Sequence, residues 1–296
     1  MPDFTWEGHR LHYREAGLAD APLLIVLPGS TASSANHAGE FAYFSRTHRV
    51  AALDYLGTGA SERLSPWPLD WWENGAAQAA ALAANLGAGR FALLGCGGGG
   101  TAALLTAADH PDQVTAVVAD SCPEKLTPQE LRGIVAARAG MPAQQQPSGD
   151  AGAPGPAAGA GISEQPFPGS IVEMLWREGP RLLRKLGTPS ARSFWKLAHG
   201  DDWAEVVAAD AALLLELADR GDWEPLAGRL GDVRCPVLLT SSLGDEELPS
   251  VVAQHQHLAM QLPDCRLWVT PRGGHPAMWT DRRGFRGEAA RFLAGV

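Results

Sequence analysis

Short apolar runs alternate with longer stretches of helical periodicity, such as residues 69–87, along most of the chain. Near-continuous apolar runs are typical of strands buried on both faces of a parallel sheet. They occupy residues 22–29, 49–57, 90–96, 114–121, 235–245 and 265–275. Ahead of them, residues 4–8 and 10–17 alternate apolar and polar side chains, which predicts a hairpin. The pattern therefore predicts an α/β domain with a mostly parallel, eight-stranded sheet flanked by helices.

The regular alternation stops after residue 122 and resumes at residue 231. Residues 141–168 are rich in Gly, Pro and Ala and offer few side chains for burial, so we expect most of them to form a mobile loop. The rest of the insertion has helical patterns over residues 123–140, 170–187, 190–200 and 201–221. We therefore predict a core of residues 1–122 and 231–296, and a helical cap of residues 123–230 inserted after the sixth strand.

The charge and hydropathy of the chain argue against nucleic-acid and membrane partners. The chain has 24 Lys and Arg against 33 Asp and Glu, a net charge of −9, and it contains no basic block. We therefore expect no nucleic-acid partner, because neutralising phosphates requires clustered Lys and Arg. The first residues lack a basic segment followed by an apolar one, and no apolar stretch has the length of a bilayer. We expect a cytoplasmic protein that does not bind membranes, and the sequence does not specify its oligomeric state.

Cysteine and histidine spacing does not indicate a metal site. The four cysteines are far apart and lack the C-x-x-C spacing of zinc or redox sites, so we expect buried, reduced thiols. His255 and His257 lie two residues apart on a predicted helix and so point to different faces. We expect neither a metal nor another cofactor.

Five glycines occur in the segment LLGCGGGG, residues 93–100, between an apolar run and an Ala-rich helical stretch. A strand, a Gly-x-[nucleophile]-x-Gly turn and a small-residue helix resemble the nucleophile elbow of the α/β-hydrolase family. The resemblance extends over nearly the whole chain, because residues 28–30, 54–61 and the ends of the last two apolar runs also resemble family segments in the family's order. It implies the α/β-hydrolase fold with a cap, and an esterase-like or lactonase-like activity.

The resemblance also implies site residues. In the family the acid follows the penultimate strand and the base follows the last, which corresponds to Asp245 and His275. The backbone N–H groups of Ser30 and Gly98 would form the oxyanion hole. Asp120, at the end of another predicted strand, is a weaker candidate for the acid.

The departure from the family is at the centre of the elbow, where Gly97 occupies the nucleophile position. Glycine adopts the strained elbow backbone at little cost, so the fold is expected to survive without the attacking atom. Removing a triad serine costs about 10⁶ in turnover, and binding with an oxyanion hole alone leaves roughly 10³–10⁴ over water. Cys96 is an alternative nucleophile, but it stands one residue early and is expected to point into the packing around the sheet.

A small apolar or aromatic molecule is the expected partner. Tryptophans of the cap, among them Trp176 and Trp195, are candidates to line a pocket between cap and sheet, as are Trp67, Trp71 and Trp72 before it. Gly29 and His37, on and after the oxyanion segment, are further candidates.

Three functions remain open from the sequence. In the first, the chain is a hydrolase of a small ester, lactone or thioester whose serine has been replaced by glycine, by engineering or natural loss. Alternatively, Gly97 is native and His275 with Asp245 acts as a general base in a lyase, isomerase, cyclase or one-step hydrolase. In the third, the protein binds a small molecule without catalysis, since a fold does not determine a function.

Overall fold

A computed structural model describes residues 2–139 and 189–296 of the chain, the side chains of residues 189 and 190 excepted. Eight strands form one sheet in the order β1-β2-β4-β3-β5-β6-β7-β8. β1 and β2 pair antiparallel, β2 pairs antiparallel with β4, and every pair from β4 to β8 is parallel. The strands are β1 (Asp3–Trp6), β2 (His9–Ala16), β3 (Leu23–Leu27), β4 (Arg49–Leu53), β5 (Phe91–Cys96), β6 (Val114–Asp120), β7 (Val237–Ser242) and β8 (Cys265–Thr270).

Helices cover both faces of the sheet, which explains why the central strands are apolar throughout. Successive residues of β3 face opposite cores: Ile25 packs into one cluster, whereas Leu24 and Val26 pack into the other. Because both faces are buried, neither needs polar side chains. The helices of the core are α1 (Ala38–Phe44), α2 (Trp71–Asn85), α3 (Gly98–Asp109), α7 (Val251–Gln261), α8 (Ala277–Thr280) and α9 (Arg282–Leu293).

The described part of the segment between β6 and β7, which we call the cap, is mainly helical. Its described helices are α4 (Pro128–Arg138), α5 (Pro189–His199) and α6 (Trp203–Arg220). Helix α4 begins later than the sequence pattern indicated, because Leu126 is extended and exchanges two backbone hydrogen bonds of 2.9 Å with Trp223. This pairing ties the two ends of the cap together.

Some sequence predictions remain open. The predicted mobile loop at residues 141–168 and the helical pattern at residues 170–187 lie outside the described residues, and the boundaries of core and cap at residues 122 and 230 stay predictions. In the part of the chain that the structure describes, every helix is too short or too polar to cross a bilayer.

Buried side chains of α5 bind the cap to the loops that follow β3 and β4. His199 accepts a hydrogen bond from the Gly59 backbone N–H and donates one to the Thr31 carbonyl, both at 3.0 Å. The indole N–H of Trp195 lies 3.3 Å from the Thr31 hydroxyl. Thr31 has a φ of 56°, a conformation that costs a non-glycine residue energy and so requires such contacts. The cap thereby holds the backbone next to Ser30 in place.

We expect the His199 contact to make the protein sensitive to acid. Burial lowers the pKa of His199 from 6.5 to about 4. The unfolded chain therefore binds a proton between pH 6.5 and 4 that the folded protein does not. The stabilisation that neutral His199 gives the folded state is thus complete above pH 6.5 and is lost as the pH falls towards 4. Relative to His199→Gln, the wild type should lose up to about 3 kcal/mol over this interval. Urea unfolding at several pH values measures it, and a constant difference between the two proteins would contradict it.

Candidate active site

The glycine-rich turn joins β5 to α3 in a backbone conformation that ordinary residues avoid. Gly97 has φ 54° and ψ −124°. Its N–H donates to the Asp120 carbonyl at 2.8 Å, and its own carbonyl accepts from the Gly100 N–H at 2.9 Å. Strand β6 on one side and the first turn of α3 on the other therefore hold this conformation. Such strain is characteristic of functional positions, and glycine carries it at the lowest cost.

Gly97 differs from the other four glycines of the turn in the space around it. A Cβ atom on any of the other four would overlap with neighbouring atoms. The overlapping groups are the Gly99 carbonyl for Gly95, the Trp72 ring for Gly98, the Leu27 carbonyl for Gly99 and the Cys122 side chain for Gly100. At Gly97 an added Cβ would meet only His275 Nε2, at 3.9 Å. Among these five positions, only position 97 has room for a side chain.

Asp245 and His275 lie together at the same end of the sheet. Asp245 follows β7 and His275 follows β8, and parallel strands bring their carboxyl ends to one edge. His275 Nδ1 lies 2.9 Å from Asp245 Oδ2, while Asp245 Oδ1 accepts the Leu248 N–H at 2.8 Å. The carboxylate is almost fully buried, so it holds the imidazole in one orientation and leaves Nε2 directed towards Gly97.

The charges around His275 favour its protonated form. Burial alone acts to lower the pKa of His275. The hydrogen bond with Asp245 and the negative charges of Glu247, Asp245 and Asp120 outweigh burial, so the pKa is raised above its ordinary value. The imidazole is consequently a stronger base than a free histidine, but its neutral form requires a higher pH.

Asp120, the weaker sequence candidate for the acid, has other partners. Its carboxylate accepts hydrogen bonds from the Thr240 hydroxyl at 2.5 Å and from the Met278 N–H at 2.9 Å. Burial raises its pKa to about 7. It therefore joins β6, β7 and α8, whereas Asp245 makes the hydrogen bond with His275.

Ser30 and Gly98 both line the cavity beside Gly97. Within the described ranges, neither backbone N–H donates a hydrogen bond to another residue. Gly98 is the first residue of α3, where backbone N–H groups have no partner inside the helix. Unpaired backbone N–H groups at a cavity wall can serve as donors to a developing oxyanion.

Cys96 does not have the properties of a nucleophile. Its side chain is buried, and burial raises the pKa of the thiol well above its ordinary value. Since the thiolate is the attacking form, a thiol in this environment is unreactive. The residue packs in the core cluster that includes Val26 and Val118.

A cavity of about 420 Å³ lies between the cap and the elbow. Its walls are mainly apolar and aromatic, with a few polar groups near Gly97, as is usual for small-molecule sites. The aromatic lining residues are Trp72, Phe194, Trp195, Trp223 and Trp279. In the described part of the chain, no cluster of His, Cys, Asp and Glu has the composition of a metal site.

Only some of the remaining predicted binding residues line the cavity. Gly29 and Trp195 line the cavity, whereas Trp176 lies outside the described residues. His37 does not line it: the ring is fully buried, packs against Trp279 with centroids 5.1 Å apart, and burial lowers its pKa to about 4. His37 therefore supports the cavity wall from behind.

Sequence reasoning missed several lining residues. Glu247 and Arg138 are charged, and Phe194 and Trp279 are aromatic. Glu247 stands two residues after Asp245 and Trp279 four residues after His275, so proximity to the candidate pair was the available signal. No such signal marks Arg138, which enters from the cap.

Comparison with known proteins agrees with this architecture. Residues 22–145 match the sequence profile of a family described as the alpha/beta hydrolase fold. The structure is similar to a hydrolase from Pseudomonas aeruginosa PA01 (19% identity, TM-score 0.68, covering 99% of this chain and 97% of that one). It is also similar to the enol-lactonase from Burkholderia xenovorans LB400 (19% identity, TM-score 0.68, covering 99% of this chain and 100% of that one). A third similar structure is the 2-hydroxy-6-oxo-6-phenylhexa-2,4-dienoate hydrolase from Rhodococcus sp. strain RHA1 (17% identity, TM-score 0.68, covering 99% of this chain and 97% of that one). This chain therefore has the α/β-hydrolase fold.

Proposed function

We propose that this protein acts on a small apolar or aromatic ester, lactone or thioester bound between cap and elbow. His275, oriented by Asp245, activates a water molecule directly, without a covalent acyl-enzyme. The observation that carries the proposal is the position of His275 Nε2, which is held by the buried Asp245 and directed at the unfilled space over Gly97.

Direct attack by water follows from what the site contains. Gly97 offers no oxygen, and the Cys96 thiol is buried in its protonated form. The base and its orienting carboxylate remain, and so do the N–H groups of Ser30 and Gly98 at the cavity wall. His275 takes a proton from water as the hydroxide adds to the carbonyl carbon, and returns it to the departing oxygen or sulfur. The oxyanion forms opposite the two N–H groups.

The expected rate is low. Without the serine, a site of this kind loses about 10⁶ in turnover relative to an intact triad. Oxyanion stabilisation and binding retain roughly 10³–10⁴ over the uncatalysed reaction, and a positioned general base contributes typically 10²–10⁴. Activity should therefore be measurable with activated substrates and slow with ordinary esters.

A second function is favoured by the raised pKa of His275. A strong base beside oxyanion donors suits removal of a proton next to a carbonyl, as in a lyase, isomerase or cyclase. The protein would then bind the same carbonyl compounds but release no acid and alcohol.

The test is His275→Ala, assayed with activated esters, thioesters and lactones. We expect a loss of at least about 10²-fold in kcat/KM, because the general base is removed. His257→Ala is the matched control, since that ring lies exposed on α7 and contacts Glu124. Turnover that His275→Ala leaves unchanged would overturn the proposal. Ligand binding without His275-dependent conversion would favour the non-catalytic alternative.

A further inference from the structure

Glu247 is a cavity residue that the proposed reaction does not use. One carboxylate oxygen lies 3.9 Å from His275 Nε2, and the other lies 3.9 Å from a guanidinium nitrogen of Arg138. The side chain is 40% exposed, so it reaches the open cavity and is not packed into the core. The same loop after β7 therefore presents two carboxylates to His275, Asp245 at Nδ1 and Glu247 at Nε2.

The cap neutralises Glu247 only in part. Arg138 makes its close ion pair with Asp210, whose carboxylate is almost completely buried. At 3.9 Å the contact between Arg138 and Glu247 is the longer of the two. Because Asp210 already balances the guanidinium, much of the Glu247 charge is left to act on His275.

Several charged groups face His275 from the elements around it. Asp245 and Glu247 approach from the loop after β7, and Asp120 approaches from the end of β6. Arg138 of α4 reaches only as far as Glu247, and Cys96 of β5 is uncharged. Of these groups, only Glu247 has a carboxylate oxygen within 4 Å of Nε2, the nitrogen that would exchange the proton.

We propose that Glu247 is a positioning residue that pairs with the Nε2–H of His275 in the ligand-free site and sets the pH at which His275 becomes a base. This rests on the proposed function, in which His275 is that base. When Nε2 takes a proton from water, the imidazolium lies between two carboxylates; the proton then passes to the departing atom, and Glu247 itself forms no bond to the substrate.

The first experiment is an NMR titration of the His275 ring in the full-length protein, comparing wild type with Glu247→Gln. Removing a negative charge at this distance should move the His275 midpoint to lower pH by about half a unit or more. Glu246→Gln is the matched control, because it removes the same charge from an exposed neighbour that does not line the cavity. A midpoint that stays in place, or that shifts equally in the two variants, would overturn the proposal.

The second experiment is the pH profile of kcat/KM. Its acid limb should move to lower pH in Glu247→Gln and stay in place in Glu246→Gln, since only the first change makes neutral His275 available at lower pH. An unmoved limb in Glu247→Gln, in a protein whose turnover depends on His275, would count against the positioning role. Turnover independent of His275 together with a shifted NMR midpoint would overturn the proposed function and leave the pairing of Glu247 with His275 in place.

Discussion

A Gly97→Ser variant should hydrolyse an activated short-chain ester at least about 10³-fold faster than the wild type. The upper limit is about 10⁶, the factor that removal of a triad serine costs. The gain is expected because the new hydroxyl would have His275 as its base and would attack through a covalent acyl-enzyme.

The geometry at position 97 accommodates this change. The Cβ would lie 3.9 Å from His275 Nε2, so a hydroxyl one bond further can come within hydrogen-bond distance. The backbone is already at φ 54° and ψ −124°, and no other atom lies within contact distance of the added carbon. The expected cost is stability: a side chain in this backbone region destabilises by about 1–3 kcal/mol.

Two variants isolate the hydroxyl. Gly97→Ala adds the carbon and the strain without the nucleophile, so it should show none of the gain. Gly97→Ser combined with His275→Ala keeps the hydroxyl without its base, and it should lose most of the gain. A fluorophosphonate probe should label only position 97 of the serine variant. A folded serine variant without turnover and without label would show that this site does not perform ester hydrolysis.

The second large effect is expected from Gly99→Ala, which should destabilise the protein by about 3 kcal/mol or more. An added Cβ would overlap with the backbone carbonyls of Leu27 and Pro28 on β3 and the loop after it. Backbone atoms of a central strand cannot move aside as the end of a flexible side chain can. Helix α3 would have to move away from the sheet, and the elbow would change shape with it.

Urea unfolding followed by tryptophan fluorescence measures this effect. Gly89→Ala is the control, because Gly89 is exposed and an added Cβ there has no neighbour within 4 Å. An unfolding free energy for Gly99→Ala equal to that of Gly89→Ala would mean that the strand and α3 are less closely packed than described. The same result would weaken the conclusion that, of the five glycines in the turn, only Gly97 has room for a side chain.

Several features could be predicted from the sequence because they depend on local pattern. The buried strands follow from unbroken apolar runs such as Phe91–Cys96, and the hairpin follows from the alternation at its start. The resemblance to the α/β-hydrolase family implied the pair of Asp245 and His275 in advance, and the parallel strands bring both residues to one edge of the sheet. The start of α3 at Gly98 does not follow from the sequence pattern, because glycines in a first helical turn carry no helical signal.

Other features of the site depend on contacts between distant segments. His37 is buried against Trp279, and Trp203 stacks on Trp195, although position in the sequence did not separate the tryptophans that line the cavity from those that support it. Arg138 reaches Glu247 only because the cap folds back over the sheet.

The apolar runs and the turn residues thus predict the parallel α/β sheet and the place of the glycine turn, because strand burial and turn chemistry depend on neighbouring residues. The family resemblance adds the α/β-hydrolase topology. The folded structure was needed to show which groups face His275 Nε2 and that position 97, among the five glycines of the turn, has room for a side chain. Both depend on how closely separate elements approach one another, and such distances are set by packing across the whole domain.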